Sequence, residues 1–261
     1  MPPYLLFGEL TREELRAAAV ESLLVFPVGA TEQHGPHLPV ATDHLTVEYI
    51  AREAARAAAV RIPVVVAPTL PFGSSYHHLP FGGTMSLSTE VYYRTVFDLC
   101  ESLVSSGFGR IFILNGHGGN SELVQLVARD LALKHPVQAA AASYWVAAWE
   151  GLSATHEHGS LPGHAGIFET SVMMALRPEL VREPRPHREP KTASGPLSPY
   201  SAVRIERHGS WQAMNGHTDS PDLADAERGK AYLAAAVGAV SKAFIRFYQA
   251  HDVVNHGFSV V

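Results

Sequence analysis

Three short segments of this chain concentrate side chains that bind metal ions or move protons. The first is Thr31-Glu32-Gln33-His34-Gly35-Pro36-His37-Leu38-Pro39, with Thr42-Asp43 just beyond it. Glu32 and His34 are two residues apart, so an extended backbone aims both the same way. That spacing suits two ligands on one metal ion or on two neighbouring ions. Asp43 opens a helical pattern, where its carboxylate is either a helix cap or a bridge between two cations. The second segment, Asn115-Gly116-His117-Gly118-Gly119-Asn120, sets one histidine among glycines at the end of an apolar run. Such a turn lets the backbone approach a ligand closely, and the helix start after it offers amide donors. It lacks both the Gly-Lys-Ser/Thr ending of a phosphate-binding loop and the Gly-x-Gly-x-x-Gly spacing of dinucleotide folds, which argues against nucleotide binding by those routes. The third segment, Gly163-His164-Ala165-Gly166-Ile167-Phe168-Glu169-Thr170-Ser171, places His164 ahead of Glu169 across a helix start. An inward Glu169 would be costly there unless paired or metal-bound; pointing outward, it would be a first-turn glutamate favoured by the helix dipole.

Positioning these loops requires a frame, and the hydrophobic pattern supplies one. Short, almost wholly apolar runs at Leu23–Val28, 64–68, 110–114 and 137–143 read as strands buried on both faces. Between them lie segments of helical period. Residues 11–20 open with a capping box, Thr11 and Glu14; 42–60 follow; and 88–106 carry a stripe of Tyr92, Val96, Leu99 and Leu103 that ends at Gly107. Another helix starts near Asn120 or Ser121 and buries Leu123, Leu126 and Val127. A long one over 222–250 presents Leu233, Val237, Val240, Phe244 and Phe247. The alternation predicts a single α/β domain over 1–261, with a mostly parallel sheet sandwiched between helices. In such folds ligands bind at the carboxyl ends of the strands, where the first two segments fall. The proline-rich stretch 183–200 reads as a long loop, a functional lid or a flap.

Composition narrows the chemistry. The chain has 261 residues, 46% hydrophobic and 17% charged, which excludes disorder. With 15 histidines and one cysteine, a metal would sit on imidazole and carboxylate rather than thiolate. Cys100 lies on the apolar side of a helical pattern and reads as an inert buried thiol. A net charge of −5 gives no footprint for nucleic acid or an anionic membrane, so the expected partner is a small molecule. No secretory leader or membrane-length apolar run is visible, and the lone cysteine fits a reducing cytoplasm.

Glu-Gln-His-Gly-Pro-His-Leu-Pro, Thr-Asp, Asn-Gly-His-Gly-Gly-Asn and His-Ala-Gly-x-x-Glu-Thr-Ser occur in that order between Leu23 and about Leu176. Together they resemble the creatininase family, whose members hydrolyse amide and amidine-like C–N bonds with divalent metals. The resemblance implies two divalent ions per subunit (zinc, manganese or iron), a small-molecule amide substrate and a homo-oligomer, often a hexamer. Carried over residue by residue, it makes Glu32, His34, Asp43, His117 and Glu169 the metal ligands, with Asp43 bridging, and His164 the acid/base histidine. One departure stands out. Creatinine-hydrolysing members carry Tyr-Glu where this chain has Gly118-Gly119, and that glutamate helps to hold their second metal. The cation beside Glu32 and His117 is therefore one ligand short, and is expected either to bind less tightly or to be completed by water. Members with the Gly-Gly form resemble formamide-removing enzymes of pyrimidine ribonucleotide intermediates and the peptidase that trims a mycofactocin precursor.

The implied chemistry is attack on a carbonyl by hydroxide bound to the ions, with the amides of Gly118 and Gly119 steadying the oxyanion and His164 protonating the leaving nitrogen. Tyr144 and Trp145 are either a flat wall for a planar substrate or a core aromatic pair. Tyr76-His77-His78 are further candidates for substrate contact, and His156 and His158 read as surface histidines. A rival of another class is a non-catalytic metal-binding subunit; retention of all six functional side chains argues against it. Phosphoryl transfer would call for Lys or Arg beside the ligand clusters, and none adjoins them.

Overall fold

The computed structural model describes residues 4–188 and 208–255. Strand β1 (Tyr4–Leu6) leads through helix α1 (Arg12–Ala19) to β2 (Leu23–Val28) and α2 (Thr42–Ala58). Next come β3 (Val64–Val66), α3 (Thr89–Ser105), β4 (Arg110–Asn115), α4 (Ser121–Lys134) and β5 (Gln138–Ser143). Short helices α5 (Tyr144–Ala147) and α6 (Trp149–Thr155) then precede α7 (Ile167–Leu176), α8 (Ser210–Ala213) and the long α9 (Ala226–Asn255). The sheet order is β1-β3-β2-β4-β5 and every pairing is parallel. This is the α/β sandwich expected from the sequence, with one strand more: β1, only three residues long, pairs with Val64–Val66 at the edge.

Strand residues alternate between two cores, as the pleat requires. Leu23, Val25, Val64, Val66, Phe112 and Leu114 face α2, α5, α6, α7 and α9. Leu24, Phe26, Val28, Val65, Ile111 and Ile113 face α1, α3 and α4. From β2 the chain passes over one face to β3, then returns over the other face to β4 on the far side of β2. The connections therefore diverge between β2 and β4, the crevice where doubly wound sheets bind ligands.

The helices begin where local chemistry starts them. Thr11 and Glu14 form the reciprocal capping box, and Ser88 accepts from Val91 N–H at the start of α3. Three stripes shift in phase from expectation. On α3, Cys100 and Phe97 are buried with Tyr92, Val96 and Leu103, whereas Leu99 is 40% exposed. On α4 it is Val124, Val127 and Leu131 that pack inward, with Leu123 and Leu126 half-buried. Helix α9 starts at Ala226, after a 3₁₀ turn at Pro221–Leu223; Tyr232 and Ala236 join Leu233, Val240 and Phe244 in the core, and Val237 and Phe247 are half-buried. Of the proline-rich stretch, 183–188 is described and 189–200 lies outside the described residues. Arg185 donates to the carbonyls of Pro221 and Ala224 and ties that end to the turn before α9. Among the described residues no helix is long and apolar enough to cross a membrane.

Candidate metal centre

The loops after β2, β3 and β4 converge over the carboxyl edge of the sheet, and α2 points its first turn into them. Gly116 permits this approach. A Cβ there would lie 2.6 Å from Val47 Cβ and 3.1 Å from the Asp43 carbonyl, so a side chain would push α2 away and carry Asp43 off the site. Helix α7 closes the crevice from the side with Glu169 in its first turn.

Asp43 sits at the middle. Its Oδ1 is 3.1 Å from His34 Nε2 and its Oδ2 is 3.0 Å from His117 Nδ1. Each imidazole also faces a second carboxylate: Glu169 Oε2 is 3.6 Å from His34 Nε2, and Glu32 Oε1 is 3.3 Å from His117 Nδ1. Ligand atoms of His34, Asp43 and Glu169 lie within 4.8 Å of one another, as do those of Glu32, His34 and His164 and those of Glu32, His77 and His117. All are buried except half-buried His77. Neither oxygen of Glu32 has a hydrogen-bond partner, although the nitrogens of His78, His117 and His164 stand 3.3–3.5 Å from Oε1. A fully buried carboxylate left this way is costly unless a cation compensates it.

Backbone carbonyls fix which ring nitrogen faces inward. His34 Nδ1–H donates to the Glu32 carbonyl at 3.1 Å, leaving Nε2 toward Asp43 and Glu169. His117 Nε2–H donates to the Ser74 carbonyl at 3.1 Å, leaving Nδ1 toward Asp43 and Glu32. His164 Nε2–H donates to the Gln33 carbonyl at 2.8 Å, leaving Nδ1 toward Glu32. The Gln33 side chain completes the set. Its Oε1 accepts from Gly35 N–H, and its amide nitrogen stands 2.9 Å from both His78 Nδ1 and His164 Nε2 and 3.2 Å from the Gly216 carbonyl. His78 Nε2 lies on the Glu32 side. An outer ring nitrogen held by the backbone, with the inner one left to the site, is the usual support of metal-binding histidines.

The electrostatics agree with a site built for positive charge. Burial alone would depress His34, but Asp43, Glu169 and Glu32 outweigh it and hold the ring up at about 10. His117 is likewise raised against burial, by Glu32 and Asp43. Asp43 is held far below the carboxylate range by His34 and His117 despite burial. Glu169 goes the other way, to about 8, because burial and the neighbouring Asp43 and Glu32 prevail over His34. His164 is pushed well down by burial, with His34 and His78 adding to it. When only protons balance the three carboxylates, they gather on His34, His117 and Glu169; divalent cations could take over that role.

The cleft above these groups has a volume of about 270 Å³, and among the described residues no Lys or Arg lines it. Gly118, Gly119 and Trp145 line it, as their sequence context suggested, and Trp211 from α8 forms a further wall. Trp211 meets His78 and His164 edge to face at 4.7 and 5.5 Å. Tyr144 does not line the cleft: it stands in the core, stacked on Phe168 and edge-on to Trp145. His156 also lies elsewhere, sharing a hydrogen bond with the Tyr232 hydroxyl, and His158 is exposed. Sequence reasoning missed Trp211, which no local pattern marks, and Gln33, whose position between two ligand candidates was its only signal.

A family model described as creatinine amidohydrolase (Creatininase) matches residues 8–244. Creatinine amidohydrolase of Pseudomonas putida is 34% identical over 195 residues, 67% of this chain and 72% of its own length. The mycofactocin precursor peptide peptidase of Mycobacterium tuberculosis (strain CDC 1551 / Oshkosh) is 33% identical over 187 residues, 68% of this chain and 67% of its own length. A solved structure described as "Creatininase Mn" superposes with a TM-score of 0.74 at 28% identity, covering 93% of this chain and 98% of that one.

Proposed function

The chain belongs to the creatininase family, and from that membership we propose that it hydrolyses an amide-type C–N bond with two divalent cations held by Glu32, His34, Asp43, His117 and Glu169. The observation that carries this reading is Asp43. Its two oxygens address two different imidazoles, each flanked by its own further carboxylate, as a carboxylate shared by two cations would be arranged. The unpartnered oxygens of Glu32 and the imidazole and carboxylate donor set fit zinc, manganese or iron. Such cations lower the pKa of water toward neutrality and polarise a carbonyl.

The chain's own residues supply the rest. His164 Nδ1, neutral and inward, takes a proton from the attacking water and gives it to the leaving nitrogen, while the Gln33 carbonyl holds the opposite ring nitrogen in place. The amides of Gly118 and Gly119 on the cleft wall stabilise the developing oxyanion. Trp145 and Trp211 flank the bond and exclude water. The absence of Lys and Arg from the lining among the described residues suits an uncharged amide and disfavours a phosphoryl substrate. Gly118-Gly119, in place of Tyr-Glu, favours a formamide or a peptide amide over creatinine.

The test is a panel of cyclic amides, formamides and short peptides, assayed with metal content measured on the same sample. Turnover of one class that requires added metal is expected. No turnover of any C–N bond at full metal occupancy would overturn the reading.

A further inference from the structure

The loop after β3 comes unusually close to Gly119. A Cβ built at Gly119 would stand 2.2 Å from the Ser74 carbonyl oxygen, 2.6 Å from His117 Nε2 and 3.2 Å from His77 Cε1. The first two distances are below any tolerated contact, and the first is to backbone, so no side chain is compatible with this path of the 74–77 segment. The third shows what stands beside it: the His77 ring abuts the point where a side chain at 119 would begin. The glycine at 119 and the close approach of His77 are thus one structural feature. Ser74 and Ser75 also grip the outer nitrogen of His117, at 3.1 and 3.2 Å. The same short segment therefore orients His117 and delivers His77.

His77 arrives in a position useful to a cation. Its ring is stacked on that of His117, 7° from parallel with centroids 5.8 Å apart, and it lines the cleft with Glu32 and Asp43. A nitrogen of His77 lies within 4.8 Å of ligand atoms of both Glu32 and His117; tetrahedral ligands at about 2.0–2.2 Å from one cation stand roughly 3.3–3.6 Å apart, so an inward shift of about 1 Å shared among the three side chains closes them on it. Glu32, the common member, has two buried oxygens without hydrogen-bond partners. The adjacent His78 is engaged differently: its Nδ1 is 2.9 Å from the Gln33 amide nitrogen, and it is not in the cluster formed by Glu32, His77 and His117.

We propose that His77 is a protein ligand to the cation on the Glu32 and His117 side of the centre, so that this site is completed by a histidine from the β3 loop. The proposal rests on the two-cation reading above. It assigns to His77 a place otherwise left to water, and it makes the ligand set at that position three imidazole-or-carboxylate side chains plus the shared Asp43.

The experiment compares the wild-type chain with His77→Phe, which keeps the stacked ring but removes the donor. Zinc is titrated into each metal-free protein against a competing chelator, and zinc-edge X-ray absorption is recorded on the saturated samples. The wild type is expected to hold two ions sharing three imidazoles. Loss of an outer-shell partner alone weakens metal binding roughly 10–100-fold, so His77→Phe is expected to weaken one ion by at least ~100-fold, with the other unchanged. Its absorption spectrum should lose one imidazole, a signal that a purely structural role would not move. A His77→Phe protein that binds both ions as the wild type does, with an unchanged imidazole count, overturns the proposal and leaves the two-cation reading standing. A wild type that holds fewer than two ions overturns both.

Discussion

Replacing Asp43 by asparagine tests the centre at its shared point. The substitution keeps the volume but removes a charge that faces two imidazoles at 3.1 and 3.0 Å. The effect can be sized through linkage. A cation present at 100 times its Kd stabilises the folded state by about 2.7 kcal/mol, so two contribute about 5.4. For a chain of this size, 1 kcal/mol moves the melting temperature by roughly 2–4 °C, so chelating both ions should lower the wild-type Tm by about 11–22 °C. Glu169→Gln removes a carboxylate on the His34 side alone and should leave about half of that metal-dependent shift. Asp43→Asn should abolish nearly all of it, because each ion loses a ligand.

The metal-free proteins give an independent reading. Removing one partner of a buried charged pair typically costs about 3–5 kcal/mol, so metal-free Asp43→Asn should melt well below the metal-free wild type. Scanning calorimetry with and without chelator, paired with metal analysis of the same samples, measures both quantities. If Asp43→Asn keeps half of the shift, as Glu169→Gln does, Asp43 serves one side only and the shared-carboxylate reasoning is refuted. A full shift would remove Asp43 from the site altogether.

Three further outcomes follow from residues outside that bridge. His164→Asn should lower kcat by roughly 10²–10⁴-fold while the bound metal stays at the wild-type level, which steady-state kinetics with parallel metal analysis will check. Cys100 has its thiol pushed up to about 12 by burial, so it stays protonated at pH 8 and should resist a disulfide reagent until denaturant exposes it; rapid labelling of the folded protein would contradict this. Phe244→Ala should cost about 3–5 kcal/mol in urea unfolding, since Phe244 is fully buried against Phe112 with ring centroids 5.0 Å apart.

Much of the candidate centre was legible because several of its proposed ligands sit in loops that immediately follow apolar strands. Glu32 and His34 follow β2 and His117 follows β4, so the strand pattern places them at one edge of the sheet before any coordinates are known. Asp43 and Glu169 are each in the first turn of a helix, where a capping role and a site role look alike in sequence. What separates the two roles is the approach of the helix. Gly116 sets it for α2, and for α7 Asp219 accepts from Ile167 N–H. Neither contact has a local signature. The strand β1 escaped notice for a similar reason: three residues carry little pattern, and only the pairing with β3 makes them a strand. Tyr144 and Trp145 were considered together, but neighbours at a helix start point about 100° apart. One faces the cleft and the other the core.

The histidine count shows where sequence reasoning about composition stops. Of 15 histidines, the motifs single out His34, His117 and His164, yet His77 and His78 enter the same cleft from the loop after β3. Adjacent and identical in type, these two are equivalent in the sequence. The structure divides them by what holds the far side of each ring. The Gln33 amide engages His78 at Nδ1, 2.9 Å away, and leaves its Nε2 3.4 Å from Glu32. His77 is brought in by a backbone path that only a glycine at 119 allows. The same Gly-Gly pair that marks the chain as different from creatinine-hydrolysing members is therefore also the space through which a compensating imidazole reaches the centre. Glycine at 119 and histidine at 77 therefore act as a pair in this chain, and the two positions should be substituted together whenever the centre is redesigned.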